Sequence, residues 1–220
     1  MTELAEKLPA DVNARRQHAV DLRRWLHRHP ELSFNEAETA ARIVSELEHL
    51  GIPCSYPGLG GGVIGRIGAD PALPTIALRA ELDALPGGDL TNPGYRSIYA
   101  DRMHACGHDA HMTMVLGAAA LLTEKPPDGN VVLIFQPAEE RGGGSRVMID
   151  AGALEGVRAI FAGHVTQEWP TGMIMIRKGA MTAQSDRFHI TVKGKGGHGA
   201  RPHEAIDAVV IAALLITTLQ

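Results

Sequence analysis

Short apolar runs alternate along this chain with longer segments whose apolar residues recur at helical spacing, and this alternation restricts the fold more than any other feature. Apolar or β-branched runs between glycine and proline are typical of strands, whereas stripes spaced by three and four residues are typical of helices. Their alternation predicts an α/β protein, with a central sheet covered by helices on both faces. The predicted helices are 11–29, the segment between Asn35 and Gly51, 109–124 and 145–150, and the predicted strands are 62–67, 75–79, 131–135, 159–162 and 173–176.

Local signals refine several of these elements. Asn35 has Glu38 three residues after it, which predicts an N-cap and capping box for the second helix. Gly51 is suited to the residue that follows a helix. Residues 85–102 are rich in Pro, Gly, Asn and Asp and predict a loop, whereas 131–135 and 159–162 are continuously apolar and predict buried strands.

The pattern of apolar and polar residues along the sequence changes near residue 185. Residues 188–193 alternate between apolar and polar, which predicts a half-solvated strand, and a helix is predicted from about Glu204. We therefore place one domain at 1–185 and the start of a second at 186–220. One strand and one helix cannot bury a core alone, and the chain ends at Gln220 within the apolar helix. We expect this sequence to be an N-terminal piece of a longer chain.

Composition excludes several classes of function. The 220 residues are 45% hydrophobic, enough for a sizeable core, and a net charge of −4 argues against a nucleic-acid partner. The polar N-terminus has no secretory signal, and the longest nearly apolar run, 209–219, is shorter than the ~20 residues of a membrane span. We therefore expect no membrane partner and a cytoplasmic location, in which Cys54 and Cys106 are not paired as a disulfide.

One cysteine, three histidines and one aspartate are concentrated in residues 103–111. Such side chains bind a divalent transition metal such as Zn²⁺ or Mn²⁺, or orient its ligands. Cys106 and His108 are one residue apart and precede a helix predicted from Asp109, whose N-terminal dipole favours a thiolate. The alternative is a histidine-rich surface loop in which Cys106 is merely packed.

Two further segments follow predicted strands. Glu139 and Glu140 come after the apolar run 131–135, and His164 comes after 159–162. Open α/β sheets place their sites at the carboxyl ends of strands. One glutamate can therefore bind a metal while the other serves as a general base toward water that the metal makes more acidic. The alternatives are a solvated acidic turn and an ordinary loop histidine.

The glycine-rich segment 194–203 lacks the serine or threonine that follows Gly-Lys in a phosphate-binding P-loop. We interpret it as a flexible connection between strand and helix. Within it, His198 and Arg201 offer hydrogen-bond donors to an anionic oxygen.

Taken together, these segments resemble the dinuclear metallopeptidases that include aminoacylase, succinyl-diaminopimelate desuccinylase and carboxypeptidase G. The closest branch contains hippurate hydrolase, N-acyl-amino-acid amidohydrolases and auxin-conjugate hydrolases. The cysteine in His-Ala-Cys-Gly-His-Asp is specific to that branch. The resemblance covers nearly the whole chain in the correct order, in segments 26–34, 78–86, 103–111, 135–140, 163–164 and 194–202.

The resemblance implies metal-dependent hydrolysis of the amide bond of N-acyl amino acids. It implies a site for two divalent ions, Zn²⁺, Mn²⁺, Co²⁺ or Ni²⁺, with Glu139 as the general base. The metal ligands that it implies are Cys106, His108, Glu140 and His164. His198 matches a histidine of the small domain that, in relatives, reaches substrate bound in the partner subunit. We add that Asp109 orients one of the ligands.

The resemblance also implies an architecture. It predicts a catalytic domain of the phosphorylase/hydrolase-like kind with a mixed sheet, followed by the first strand and helix of a ferredoxin-like lid domain. Through that lid the complete protein is expected to form a homodimer. The acyl group and the amino acid of the substrate are left open.

Two departures from the family pattern bear on activity. Glu81 stands where the branch has aspartate, and a carboxylate displaced by one methylene is expected to affect the site. The C-terminal part of relatives, which supplies a last histidine ligand, has no counterpart here. One alternative is therefore a catalytically inactive remnant that binds metal or a partner only. A further alternative is a structural zinc module. The sequence does not favour it, because structural zinc sites are closed tetrahedra and do not need the adjacent Glu139 and Glu140.

Overall fold

A computed structural model describes residues 9–90, 94–183, 186 and 188–220 of the chain. It separates into two compact units, Met1–Met173 and Ile174–Gln220. The domain boundary that we predicted near residue 185 lies further along the chain, and as a functional division it stays a prediction.

The first unit is built on a five-stranded mixed sheet. Its strands are β1 (Cys54–Ser55), β2 (Val63–Ile67), β3 (Thr75–Glu81), β6 (Asn130–Gln136) and β7 (Val157–Ala162), in the order β1-β2-β6-β3-β7. Strand β3 is parallel to β6 and β7, whereas β2 is antiparallel to β1 and β6. A separate short ribbon pairs β4 (Leu85–Pro86) with β5 (Arg102–Met103), so the predicted loop 85–102 is closed by strand pairing at its two ends.

Helices cover both faces of this sheet, which confirms the predicted fold class. The helices are α1 (Ala10–Arg28), α2 (Ala37–His49), α3 (His108–Glu124) and α4 (Gly144–Asp150). Alternate residues of β6 point to opposite faces. Leu133 and Phe135 belong to the core formed with α1, α2 and α3, whereas Val132 and Ile134 belong to a smaller core formed with α4.

Strand β7 is largely exposed, so the prediction that 159–162 is a buried strand was wrong. Ile160 is 51% exposed and Phe161 is 64% exposed. The reason is position, because β7 is the last strand in the order of the described sheet. Apolar composition predicts a strand but does not specify its place in the sheet.

The start of α2 also differs from prediction. The helix begins at Ala37, and neither Asn35 nor Glu36 makes a side-chain cap. Instead, the carboxylate of Glu31 accepts hydrogen bonds from the backbone N–H groups of Glu38 at 3.2 Å and Thr39 at 2.7 Å. A side chain outside the helix therefore takes the donors that a capping residue usually satisfies.

The second unit contains a 3₁₀ turn (Pro202–Glu204) and a helix, α5 (Ala208–Leu219). Helix α5 begins later than the predicted Glu204, because the Asp207 carboxylate caps it by accepting from the N–H groups of Val209 and Val210. The strands predicted at 173–176 and 188–193 are absent from the described residues. Strands need partners, and the only pairing described in this unit is an isolated bridge between Lys195 and Ile206. No helix of the described residues has the length and apolar character of a membrane span.

Candidate metal centre

Strands β3, β6 and β7 are parallel, so their carboxyl ends meet at one edge of the sheet. The segments that follow them carry Asp83, the pair Glu139 and Glu140, and His164. The N-terminus of α3 supplies His108, directly after Gly107. The fold thus collects the chemically distinctive side chains where open α/β sheets place their sites.

Four predicted ligands come together at this edge. One ligand atom from each of Cys106, His108 and Glu140 lies within 4.8 Å of the others. The Sγ atom of Cys106 lies 3.4 Å from Nε2 of His164. Oε1 of Glu140 is buried and has no hydrogen-bond partner in the structure. Because buried carboxylate oxygens are normally paired, that atom is suited to bind a cation.

The ring of His108 is oriented by its other nitrogen. Nδ1 lies 2.7 Å from the carbonyl oxygen of Asp83 and donates to it, so in the neutral ring Nε2 is the unprotonated atom. Nε2 lies 3.8 Å from Glu140 and 4.0 Å from Glu139. Burial lowers the pKa of His108, but the hydrogen bond with Asp83 and the charge of Glu81 outweigh burial, so the pKa is raised.

The carboxylate of Asp83 fixes the backbone of the glutamate pair. It accepts from the N–H of Glu139 at 3.1 Å, from the N–H of Glu140 at 3.0 Å and from the hydroxyl of Ser33 at 2.7 Å. Burial raises the pKa of Asp83, but these hydrogen bonds and that of His108 outweigh it and lower the pKa to about 2. A charged Asp83 therefore holds two site segments at once.

A second buried carboxylate supports the same loop. Oε1 of Glu36 accepts from the N–H of Ala138 at 2.8 Å, and Ala138 has a left-handed φ of 47°. Burial is the largest influence on Glu36 and raises its pKa. Gly144 packs so tightly here that a Cβ atom would lie 1.6 Å from the carbonyl oxygen of Pro137, so only glycine fits.

The sequence predicts that the N-terminal dipole of α3 favours a thiolate at Cys106, but the surroundings of the sulfur act in the opposite direction. Burial raises the pKa of the thiol to about 12, and the hydrogen bond and negative charge of Glu140 add to that effect. The negative charges of Glu139 and Glu81 act in the same direction as burial and Glu140.

A second group of metal-binding side chains consists of Glu81, His108 and His111. Here the ring of His111 is fully occupied, because Nδ1 pairs with Glu81 at 2.7 Å and Nε2 accepts from the N–H of Val165 at 3.0 Å. Glu81 also pairs with Arg79 at 2.5 Å. Glu81 and His111 are therefore bonded to each other, and the Val165 amide takes the second ring nitrogen of His111.

Asp109 is fully buried. Its carboxylate contacts His27 and Arg23, neither of which is a predicted metal ligand. It lies 2.7 Å from Nδ1 of His27 and 3.0 Å from Nε of Arg23. Its role in orienting a ligand stays a prediction. In the second unit, His198 is exposed and its Nδ1 accepts from the N–H of Ala200 at 3.1 Å.

Sequence reasoning assigned no role to several residues that shape the site: Asp83, Glu36, His27 and His111. Asp83 lies only two residues after Glu81, within a segment that resembled the family, and that was its one available signal. His111 stands in the histidine-rich segment 103–111 and His27 in segment 26–34, but their partners are distant along the chain, so no local pattern specified their roles.

Comparison with known proteins places this arrangement in context. A family model described as peptidase family M20/M25/M40 matches residues 77–216. IAA-amino acid hydrolase ILR1-like 4 of Arabidopsis thaliana is 45% identical over 203 residues, which are 91% of this chain and 46% of that protein. N-acetylcysteine deacetylase of Bacillus subtilis is 44% identical over 204 residues, 91% of this chain and 54% of that protein.

Solved structures agree with these matches. A putative aminohydrolase from methicillin-resistant Staphylococcus aureus superposes with a TM-score of 0.80 at 36% identity, covering 96% of this chain and 55% of that one. The Bacillus subtilis YXEP protein, a dinuclear metal-binding peptidase, gives 0.69 at 43% identity and covers 72% and 45%. The chain thus spans about half the length of the relatives it matches.

Proposed function

The chain belongs to peptidase family M20/M25/M40, and from that premise we propose that the complete protein is a metal-dependent amidohydrolase that cleaves N-acyl amino acids. The observation that carries the proposal is the convergence of Cys106, His108, Glu140 and His164, with Glu139 beside them. The names of the plant hydrolase and the Bacillus deacetylase support an amide of an amino acid as substrate. The particular acyl group is left open.

The donor set fits a divalent transition metal. It combines a thiol sulfur, imidazole nitrogens and a carboxylate oxygen, which suits Zn²⁺, Mn²⁺, Co²⁺ or Ni²⁺. The buried Oε1 of Glu140 makes no hydrogen bond among the described residues and can therefore serve as a metal ligand. We propose two ions, as in the dinuclear relative. When bound, they supply positive charge that makes water more acidic and polarises a carbonyl group.

Glu139 is the proposed general base. Its carboxylate is 41% exposed and lies 4.0 Å from Nε2 of His108, so it borders the ligands and is accessible to water. It takes a proton as water oxygen bonds to the amide carbon. It then delivers that proton to the amide nitrogen as the C–N bond breaks. Asp83 fixes its backbone N–H, which keeps the carboxylate close to the ligands.

Other assignments complete the proposal. His198 contributes a donor to substrate from the lid domain, which begins near residue 186 and through which the complete protein forms a homodimer. Glu81 acts behind the ligands through His111, and the role of Asp109 in orienting a ligand stays a prediction of the sequence. A cytoplasmic location stays a prediction of the sequence.

Hydrolysis of hippurate and N-acetyl amino acids by the complete protein tests this proposal. Glu139→Gln should lower kcat by at least ~10²-fold, because it removes the proton acceptor, while metal content stays unchanged. Glu155→Gln, at an exposed glutamate of the same unit, should leave turnover at the wild-type level. Unchanged turnover in Glu139→Gln would refute the mechanism. Metal binding without hydrolysis in the wild-type protein would favour the inactive-remnant alternative.

A further inference from the structure

We propose that Glu81 and His111 are a positioning pair that sets the place of the ligand His164 by holding the backbone of Val165. The inference deepens the proposed function and rests on it, because it concerns the same metal centre. It assigns a role to a buried histidine that the metal-binding chemistry does not use.

His111 is built into the wall of the site. It is 1% exposed and lies in the first turn of α3, three residues after His108, so both rings project from one face of the helix. Their ring centroids are 5.5 Å apart. A histidine so close to a metal site is a natural candidate ligand, and its hydrogen bonds decide whether it is one.

The partners of His111 determine which ring nitrogen carries the proton. The carboxylate of Glu81 only accepts hydrogen bonds, so Nδ1, 2.7 Å away, must donate. The N–H of Val165 only donates, so Nε2, 3.0 Å away, must be unprotonated. A metal ion could bind this Nε2 only by displacing the Val165 amide. His111 is therefore a structural group rather than a ligand.

Val165 is held on both sides of its peptide unit. His111 accepts from its N–H, and its carbonyl oxygen accepts from Nδ1 of His164 at 2.6 Å. The two histidine rings also meet edge to face, with centroids 4.6 Å apart. These contacts leave Nε2 of His164 free to face Cys106 at 3.4 Å. The position of one ligand therefore depends on the hydrogen bond that His111 accepts.

Glu81 anchors the other end of this chain of contacts. Its second oxygen pairs with Arg79 on the same strand at 2.5 Å, so the carboxylate is fixed at the end of β3. The length of the Glu81 side chain therefore decides whether its carboxylate reaches His111. Shortening it by one methylene would withdraw the carboxylate from His111 by about one C–C bond, ~1.5 Å.

The tautomer of His111 is the first test, on the 220-residue wild-type chain without metal. Long-range ¹H–¹⁵N NMR spectra near neutral pH should assign a protonated Nδ1 and an unprotonated Nε2 to His111. A protonated Nε2 would overturn the proposal, because Val165 could not then donate to it. This measurement needs no substitution and is therefore independent of whether a variant folds.

Two substitutions then separate positioning from mere structure. His111→Gln places an acceptor where Nε2 was, whereas His111→Asn retains a donor toward Glu81 and loses the acceptor for Val165. Co²⁺ titrations of the chain should show ~10- to 100-fold weaker binding for His111→Asn, a range typical of residues that orient metal ligands. His111→Gln should remain within about threefold of wild type, and the exposed control His49→Asn should not differ.

The visible spectrum of bound Co²⁺ adds a readout that a general loss of stability would not change. We expect altered d–d bands in His111→Asn and wild-type bands in His111→Gln. Equal affinities and spectra for wild type and His111→Asn would overturn the positioning role and leave the metal site standing. A wild-type chain that binds no Co²⁺ would overturn both the positioning role and the proposed metal site.

Discussion

Replacing Asp83 with asparagine is the substitution whose effect follows most directly from the hydrogen bonds of the site. Each oxygen of the buried carboxylate accepts from a different backbone amide, Glu139 N–H at 3.1 Å and Glu140 N–H at 3.0 Å. Asparagine has one carbonyl oxygen and one NH₂ group. In either orientation, the NH₂ group faces a backbone N–H that has lost its acceptor.

The magnitude follows from this mismatch. A buried donor without an acceptor costs about 1–3 kcal/mol, and a hydrogen bond to a charged group is worth about 1.5–3 kcal/mol. We expect Asp83→Asn to lower the free energy of unfolding by about 3 kcal/mol at neutral pH. The pKa of Asp83 is lowered from 3.8 to about 2, so this contribution is complete above pH 3.8 and is lost as the pH falls through about 2.

Urea unfolding followed by tryptophan fluorescence measures the effect, because Trp25 packs against the larger core of the first unit. The matched control is Ser33→Ala, which removes one hydroxyl donor to the same carboxylate and should cost only about 1 kcal/mol. If Asp83→Asn stays within about 0.5 kcal/mol of wild type, the hydrogen-bond reasoning is refuted.

Two further predictions use matched changes. Gly107 has φ +83°, and a Cβ atom there would lie 2.3 Å from Cγ2 of Val165, so Gly107→Ala should lower the free energy of unfolding by about 2–3 kcal/mol and weaken metal binding. The control Gly51→Ala has φ +70° and no atom within 4 Å, so it should cost only about 1 kcal/mol in the same unfolding assay. Equal costs for the two substitutions would contradict the steric argument. Burial raises the pKa of Glu36 above the ordinary 4.5, so the free energy of unfolding of the wild type should fall as the pH rises from 4.5 through the raised pKa. The Glu36→Gln side chain still accepts from the N–H of Ala138 but cannot ionise, so unfolding curves taken across pH should lack that decline. The same pH dependence of stability in wild type and variant would contradict this prediction.

The elements of the first unit were largely predictable because their sequence patterns reflect local burial. Strands β2, β3 and β6 and helices α1, α3 and α4 lie close to the predicted ranges. Failures arose where an element depends on distant partners. The exposure of β7 follows from its place in the sheet, and the segments 173–176 and 188–193 lack a described partner strand.

The same distinction applies to the site. Cys106, His108 and Glu140 stand in dense motifs, and the fold brings them together. Glu36 could not have been found in that way, because it contacts a residue 102 positions away. The raised thiol pKa of Cys106 was also beyond local reasoning, since it depends first on burial and then on carboxylates that are distant along the chain.

The central claim is that Cys106 and its neighbours bind a transition metal, and X-ray absorption at the zinc edge tests it most directly. The zinc-loaded 220-residue chain should show one sulfur at ~2.3 Å together with nitrogen or oxygen at ~2.0–2.2 Å. Cys106→Ser should lose the sulfur shell, and Cys54→Ser should retain it. A wild-type spectrum without sulfur, or a sulfur shell that persists in Cys106→Ser, would contradict the account.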